Sequence, residues 1–281
     1  MCQLFALTSS SPVSADFSLR GFFQRGGKTG EHKDGWGLAL FSRGKADIQT
    51  HQSAAYNCQR ASYLLETKPK ATTVIAHIRK ATEGHISPEN THPFVRELWG
   101  ETWAFAHNGD LKNYHPENQS IYKTFGQTDS ERAFCYLFNC LKSRFEHKPA
   151  IGILAEYIKM LSKEISQHGT FNFLLSNGTI LLAHCTTELY WTQRAFPYGR
   201  LELLDTQLSI DLSELNDKKE TMIVIATKPL TKGEAWYPMG RGEIRAFENG
   251  HLAYESKINT LFTKAPFDWG VAWQSSQVII S

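Results

Sequence analysis

Two Asn-Gly pairs, Asn177-Gly178 and Asn249-Gly250, each lie between apolar runs, and they restrict the architecture more than any other feature of the chain. A two-residue type I′ turn needs positive φ at both central positions, which Asn and Gly tolerate and most residues do not, so each pair predicts a β-hairpin. Hairpins join antiparallel neighbours, whereas parallel strands need a crossover of about a dozen residues or more. Apolar segments bounded by Gly, Pro or Asn read as strands at residues 2–8, 36–41, 72–78, 103–106, 171–176 and 179–184. Further strands are expected at 188–192, 222–227, 243–247 and 251–254. The sheets should therefore be largely antiparallel.

Between the two groups of strands the apolar period changes. Phe134, Leu137, Phe138, Leu141 and Phe145 line one helical face, and Leu154, Tyr157, Ile158, Leu161 and Ile165 line a second that ends at Gly169. Thr128-Asp129-Ser130-Glu131 has the form of a capping box, with Thr128 as N-cap and Glu131 reaching back, which puts Asp129 in the first turn. Strands, two central helices and strands again predict an α/β (α+β) class, a four-layer αββα sandwich of two mainly antiparallel sheets. One domain over residues 2–281 is expected, with a core to about residue 255 and a C-terminal extension over about 256–281. The long loops at 26–35 and 80–100 are candidate binding segments.

With 30 basic against 28 acidic residues, charge gives no bias toward nucleic acid or an anionic membrane. The N-terminal MCQLFALTSSSPV has no basic n-region and only a four-residue apolar run, so a cytoplasmic location is expected and Cys2 is not read as a lipidated cysteine. Five cysteines, an odd number at irregular spacings, argue against a disulfide framework. Cys135, Cys140 and Cys185 fall in apolar patterns and are expected as buried structural thiols. His32, His77, His85, His92 and His107 show neither an HExxH helix nor a short ligand pair, so no metal and no cofactor is expected. His77 and His107 are expected at strand ends with their ring nitrogens bonded to backbone. Trp36, between two glycines, is expected as a packing anchor for a tight loop.

Four features can carry chemistry. Removal of Met1 would leave Cys2 with a free α-amine. An amine of pKa about 7.7–8.0 beside a thiol of about 8.5 can take the thiol proton near neutrality. His107-Asn108-Gly109-Asp110 follows an apolar strand and is either a strand-ending turn or an oxyanion hole, made by the Asn108 amide and the Gly109 N–H. Arg79 and Thr82 at the mouth of a strand are either solvated loop residues or a clamp for an α-carboxylate. Asp129 either complements the helix dipole or binds an α-ammonium.

Together these features resemble the class II glutamine amidotransferases. Cys2 before an apolar strand, Asp34-Gly35-Trp36-Gly37, His77-x-Arg79-x-x-Thr82, Asn90-Thr91-His92-Pro93-Phe94, His107-Asn108-Gly109 and Thr128-Asp129-Ser130-Glu131 carry the resemblance. The chain is most similar to the free-standing YafJ-type branch through residues 32–38, Ile225-Ala226-Thr227-Lys228-Pro229-Leu230-Thr231 and Glu234-Ala235-Trp236-Tyr237. The resemblance implies an Ntn-hydrolase fold in which Cys2 attacks a γ-carboxamide and Asn108 with Gly109 stabilises the oxyanion. It also implies that Arg79, Thr82 and Asp129 hold the amino-acid end of glutamine or a γ-glutamyl compound. A separate synthase or peptidase subunit is a possible partner, and no acceptor-activating domain is recognisable in this chain. Hexosamine-synthesising relatives carry a histidine after the matching threonine, where this sequence has Glu83. The rival reading is a non-catalytic module that binds glutamine or a γ-glutamyl peptide and regulates a partner.

Overall fold

The computed structural model describes residues 2–81, 84–117 and 121–256; Met1, Thr82, Glu83 and the C-terminal extension beyond Ser256 lie outside the described residues. The first group of elements is β1 (Gln3–Ser14), α1 (Asp16–Gln24), β2 (Trp36–Ser42), β3 (Lys45–His51), α2 (Gln59–Thr67) and β4 (Lys70–Ile78). Next come β5 (Phe94–Leu98), β6 (Glu101–Leu111), α3 (Asp129–Arg144), α4 (Ile151–Ile165), β7 (Gly169–Ser176), β8 (Ile180–Cys185) and β9 (Tyr190–Ala195). The last are β10 (Arg200–Leu203), β11 (Ser209–Asp211), β12 (Thr221–Ala226), β13 (Thr231–Lys232), β14 (Tyr237–Pro238), β15 (Glu243–Glu248) and β16 (His251–Glu255).

Two large sheets are formed, in the orders β14-β9-β12-β1-β4-β2-β3 and β16-β15-β8-β7-β6-β5, with a small third sheet β11-β10-β13. Every pairing is antiparallel, as the hairpin signals require. Strand alternation then sorts the side chains. Leu4, Ala6, Ile75, Ile223 and Ile225 of the first sheet face Ala104, Ala106, Leu174 and Ala183 of the second. On the outer side of the first sheet, Phe5, Leu7, Val74 and Val224 pack under Phe22 and Phe23 of α1 and Leu64 of α2. On the outer side of the second, Phe105, Phe171 and Phe173 pack under Phe134 and Phe138 of α3 and Ile158 of α4. The central strands β1, β2, β4, β7, β8 and β12 are covered on both faces, and their sequences accordingly read as largely continuous apolar runs, whereas β3 and β16 at the sheet edges are mostly exposed or half-buried. The layers are helix, sheet, sheet, helix, the expected αββα sandwich. No helix among the described residues is long and apolar enough to cross a membrane.

Asn249-Gly250 forms the expected two-residue turn, with φ of 51° and 75° between paired Glu248 and His251. Asn177-Gly178 does not. Only Gly178 takes positive φ (90°), because the Asn177 side chain folds back to accept the N–H groups of Thr179 (3.1 Å) and Ile180 (2.8 Å). That Asx-type turn satisfies the backbone without a left-handed Asn. The two-residue geometry recurs instead at Arg43-Gly44 and Trp99-Gly100, whose first residues give no such signal.

The capping box is half formed. Thr128 Oγ1 accepts the Glu131 N–H at 3.2 Å, but the Glu131 carboxylate is drawn away to the N–H groups of Phe125 and Gly126 and to Arg96 at 2.6 Å. Helices α1 and α2, strand β3 and the small sheet lay outside the sequence expectation, and the loop at 80–100 contains β5. The strand expected at 188–192 begins later, as β9. All five cysteines are free. Cys135 and Cys185 are fully buried, which pushes their thiols up to about 11 and about 12, whereas Cys140 is only half-buried.

Phe134 stacks on Phe105 with ring centroids 4.9 Å apart and planes 3° from parallel, at the centre of the contact between α3 and the second sheet. Phe134→Ala is expected to cost about 3–5 kcal/mol in urea denaturation, while Met160→Ala, on the exposed side of α4, should stay within about 0.5 kcal/mol. Two histidines buried in the layers, His77 on β4 and His184 on β8, are held far below the ordinary imidazole value by desolvation, to about 3 and about 4. Between pH 6.5 and 4 the unfolded chain binds protons that the folded chain refuses, so stability falls as pH falls through that window. Going from pH 7 to pH 5 should cost roughly 2 kcal/mol per histidine. A denaturation midpoint that does not move between those pH values would show that both rings take up protons in the folded protein.

Candidate active site

Cys2 precedes the first residue of β1, and its Sγ is fixed by the main chain just beyond β4. The Lys80 N–H donates to Sγ, and Sγ–H reaches the Lys80 carbonyl, each at 3.4 Å. The Asp34–Gly37 segment holds this exit in place. The Arg79 N–H donates to the Gly35 carbonyl (2.8 Å), the Arg79 carbonyl accepts from Asp34 N–H (3.1 Å), and the Asp34 carboxylate accepts the Ala81 N–H (2.7 Å). Trp36 is fully buried against Phe23, ring centroids 5.3 Å apart, and is the expected packing anchor. Gly37 is required by close approach: a Cβ there would sit 1.9 Å from the His92 carbonyl oxygen.

The Arg79 side chain is buried, and its two terminal nitrogens donate to the carbonyls of Gly84 and His85, both at 3.1 Å. Those two bonds fix the guanidinium fork in place. Thr82, named with Arg79 as a clamp residue, lies outside the described residues.

His107, Asn108, Gly109 and Asp110 form no strand-ending turn. They are inside β6, which continues to Leu111, with Asn108 opposite Asn172 and Gly109 opposite Phe171. The Asn108 carbonyl accepts from Asn172 Nδ2 (3.0 Å), while its side chain is buried with Nδ2 3.4 Å from Thr227 Oγ1. A Cβ at Gly109 would sit 1.8 Å from the Thr170 carbonyl oxygen and 2.5 Å from the His107 ring, so the neighbouring strand alone demands glycine there.

Asp129 opens α3 and is buried. Its Oδ2 accepts the Leu111 N–H and its Oδ1 the Ser130 N–H, both at 2.7 Å, which ties the end of β6 to the start of the helix. His107 braces the same junction. Its Nε2–H donates to the Thr170 carbonyl (3.0 Å), leaving Nδ1 to accept from the Ser130 hydroxyl at 2.8 Å. Burial lowers the His107 ring, with the Asp129 charge working against it.

Among the described residues, neither the ring nitrogens of His77 nor those of His92 make a hydrogen bond of good geometry, although the His107 backbone lies close enough to His77 to act on its ring. The two rings pack together with centroids 4.3 Å apart, and His92 packs on Phe94. Desolvation holds His92, like His77, well below the ordinary value, so both act as neutral aromatic packing beside Arg79. Among the described residues, no group of three or more His, Cys, Asp or Glu side chains could hold a metal ion.

Cys2, Arg79 and Asp129 share one electrostatic neighbourhood. Burial pushes the Cys2 thiol up, the Lys80 N–H and the Arg79 charge pull it down, and the Asp129 charge pushes it up. Asn108 joins through Thr227, whose Oγ1 also accepts the Leu4 N–H at 2.9 Å. Sequence reasoning gave no role to Thr227, Ser130 or Asn172. Thr227 was visible only as part of the 225–231 segment, and the other two are defined by partners distant in the chain.

The chain has relatives of known sequence and structure. A Haemophilus influenzae protein named as a glutamine amidotransferase is 42% identical over 256 residues, covering 91% of this chain and 87% of its own length. YafJ of Escherichia coli, which bears the same functional name, is 40% identical over 88% of this chain and 97% of its own. The crystal structure of a Pseudomonas aeruginosa protein predicted to be a glutamine amidotransferase superposes with a TM-score of 0.72 at 32% identity, covering 90% of this chain and all of that one. The amidotransferase of Bacillus subtilis that uses phosphoribosylpyrophosphate shares the fold at a TM-score of 0.59 and 17% identity. The profile of the family described as glutamine amidotransferases class-II matches residues 1–268, and the chain belongs to that family.

Proposed function

We propose that the chain cleaves a γ-glutamyl carboxamide, that of glutamine or of a γ-glutamyl compound, with Cys2 as nucleophile after removal of Met1. The observation that carries this reading is that the register of β1 on β4 brings Cys2 beside Arg79, while Asp129 is fixed at the junction of β6 and α3 near enough for its charge to reach the same thiol. A γ-glutamyl group ends in one α-carboxylate and one α-ammonium, so this pair of charges suits it and has no use for a simple amide. Arg79, with Thr82, takes the carboxylate, and Asp129 takes the ammonium.

In the reaction the Cys2 α-amine accepts the thiol proton and Sγ attacks the amide carbon. Negative charge develops on the former carbonyl oxygen, where the Asn108 side chain and the Gly109 N–H donate to it. The C–N bond then breaks as the α-ammonium returns its proton to the leaving nitrogen, giving ammonia or an amine and a γ-glutamyl thioester on Cys2. Water, deprotonated by the same amine, attacks the thioester and releases the γ-glutamyl acid. The nitrogen product goes either to solvent or to a separate synthase or peptidase subunit.

Intact mass spectrometry is expected to show Met1 removed and a single adduct at Cys2 after treatment with diazo-oxo-norleucine, with neither adduct nor turnover in Cys2→Ala. Retained Met1 with no adduct would instead support the non-catalytic binding module. Asp129→Asn should act mainly through KM. Leaving an ammonium without its ionic partner costs roughly 2 kcal/mol or more, equivalent to a rise of about 30-fold, and steady-state kinetics with and without an α-amino group on the substrate will separate this from misfolding.

A further inference from the structure

Thr227 has no part in the reaction as written above, although it touches both strands that build the site. It follows β12 immediately and is buried. Its N–H donates to the Leu4 carbonyl at 3.0 Å and its Oγ1 accepts the Leu4 N–H at 2.9 Å, so the main chain two residues beyond the nucleophile holds it from both sides. The same Oγ1 lies 3.4 Å from the Asn108 carboxamide.

With the amide nitrogen toward Thr227, the hydrogen bonds do not balance. Oγ1 then accepts from both Leu4 N–H and Asn108 Nδ2, and its own proton finds no acceptor among the described residues. At the other end of the same amide, Asn108 Oδ1 is buried with no donor. Unmet buried groups of this kind cost about 1–3 kcal/mol each. A half-turn about the Cβ–Cγ bond exchanges the two ends of the amide with almost no displacement of heavy atoms. Thr227 Oγ1 then keeps the Leu4 N–H and donates its proton to Asn108 Oδ1, so both unmet groups pair with each other. The –NH₂ takes the inner position, where its two hydrogens are the groups that stay unmet until an oxyanion arrives, against three unmet before the half-turn: Oδ1, the Thr227 proton and one amide hydrogen.

We propose that Thr227 is a positioning residue for the oxyanion hole: its hydroxyl, oriented by the Leu4 N–H, holds Asn108 Oδ1 and so aims Asn108 Nδ2 at the developing oxyanion. The inference rests on the role given to Asn108 under the proposed function. The orientation of this amide decides whether a donor is present at all, because an oxygen in the inner position repels an oxyanion and an –NH₂ binds it. One hydroxyl also links β1, which carries the nucleophile, to β6, which carries the hole, so it sets the spacing between them.

The test is Thr227→Val, of nearly the same shape without the hydroxyl, beside Thr227→Ser. For Thr227→Val, kcat on a γ-glutamyl amide should fall about 10- to 100-fold, with KM within about threefold of wild type and a melting temperature lowered by only a few degrees, because the buried Leu4 N–H loses its side-chain acceptor. Thr227→Ser should recover most of the rate. A Thr227→Val enzyme with undiminished kcat overturns the inference, as does a loss seen only in KM or shared equally by the serine variant. A wild-type protein with neither turnover nor a Cys2 adduct fails the functional reading instead. The amide orientation is then read from nuclear Overhauser contacts of the Asn108 side-chain protons, and contacts from those protons to the Leu4 N–H overturn the inference independently.

Discussion

Strand β1 is paired on both edges, to β4 and to β12, and covered on both faces, and the site depends on that confinement. Its register leaves no freedom at the N-terminus. Gln3 stands opposite Ile78 and Leu4 opposite His77, so the next step outward brings Cys2 to Arg79 and the loop that begins at Lys80. On the other edge Phe5 stands opposite Ala226, and the next step brings Leu4 to Thr227. A slip of one residue would turn Phe5 and Leu7 from the helix-covered face into the thinner seam between the sheets, so the register is enforced by core packing rather than by the site. The placement of the thiol is thus a consequence of burying an apolar strand.

The seam itself explains how residues from two different sheets meet. Ala6 and Ala39 from one sheet and Ala104, Ala106 and Ala183 from the other keep the middle layer thin, while Phe and Leu are concentrated on the outer faces beneath the helices. Small residues in the seam let β6 approach β1 and β12 closely enough for Asn108 to reach Thr227 across the gap. The outer faces do the complementary job at Asp129. Aromatic packing of Phe134 on Phe105 sets α3 against β6, and the Leu111 N–H and His107 bracing through Ser130 then define where the helix begins.

Much of this was legible in the sequence because it was local. Hairpin chemistry at Asn249-Gly250, the apolar periods of α3 and α4, and the Thr128 cap are each decided by residues within a few positions of one another. What was missed was decided at a distance. Asn177 has the same neighbour as Asn249, yet its side chain takes a local turn and donates to Glu101, far away in sequence. His107–Asp110 reads as a turn because Asn-Gly is a turn dipeptide, but β7 pairs with it throughout and converts it to strand. His77 has a polar ring on an apolar strand, and nothing local says that His92 will pack against it. α1 is only nine residues long and carries Gly21, which the Leu203 side chain approaches closely, so its helical period was too brief to read.

The same geometry constrains how the thiol can be activated on the proposed reading. In the resting site Arg79 lowers the Cys2 thiol and Asp129 raises it, and burial raises it further. A bound γ-glutamyl group brings a carboxylate to Arg79 and an ammonium to Asp129, which diminishes both influences together. The end-group clamp therefore recognises substrate without shifting the nucleophile much in either direction. His77 and His92 are poorly suited to supply the missing base, since desolvation holds both rings well below the ordinary imidazole value. His107 is committed on both ring nitrogens, to Thr170 and Ser130. On the proposed reading the base is therefore the α-amine of Cys2 itself, which is freed only when Met1 is removed, so that reading ties the activity of the thiol to the processing of one residue.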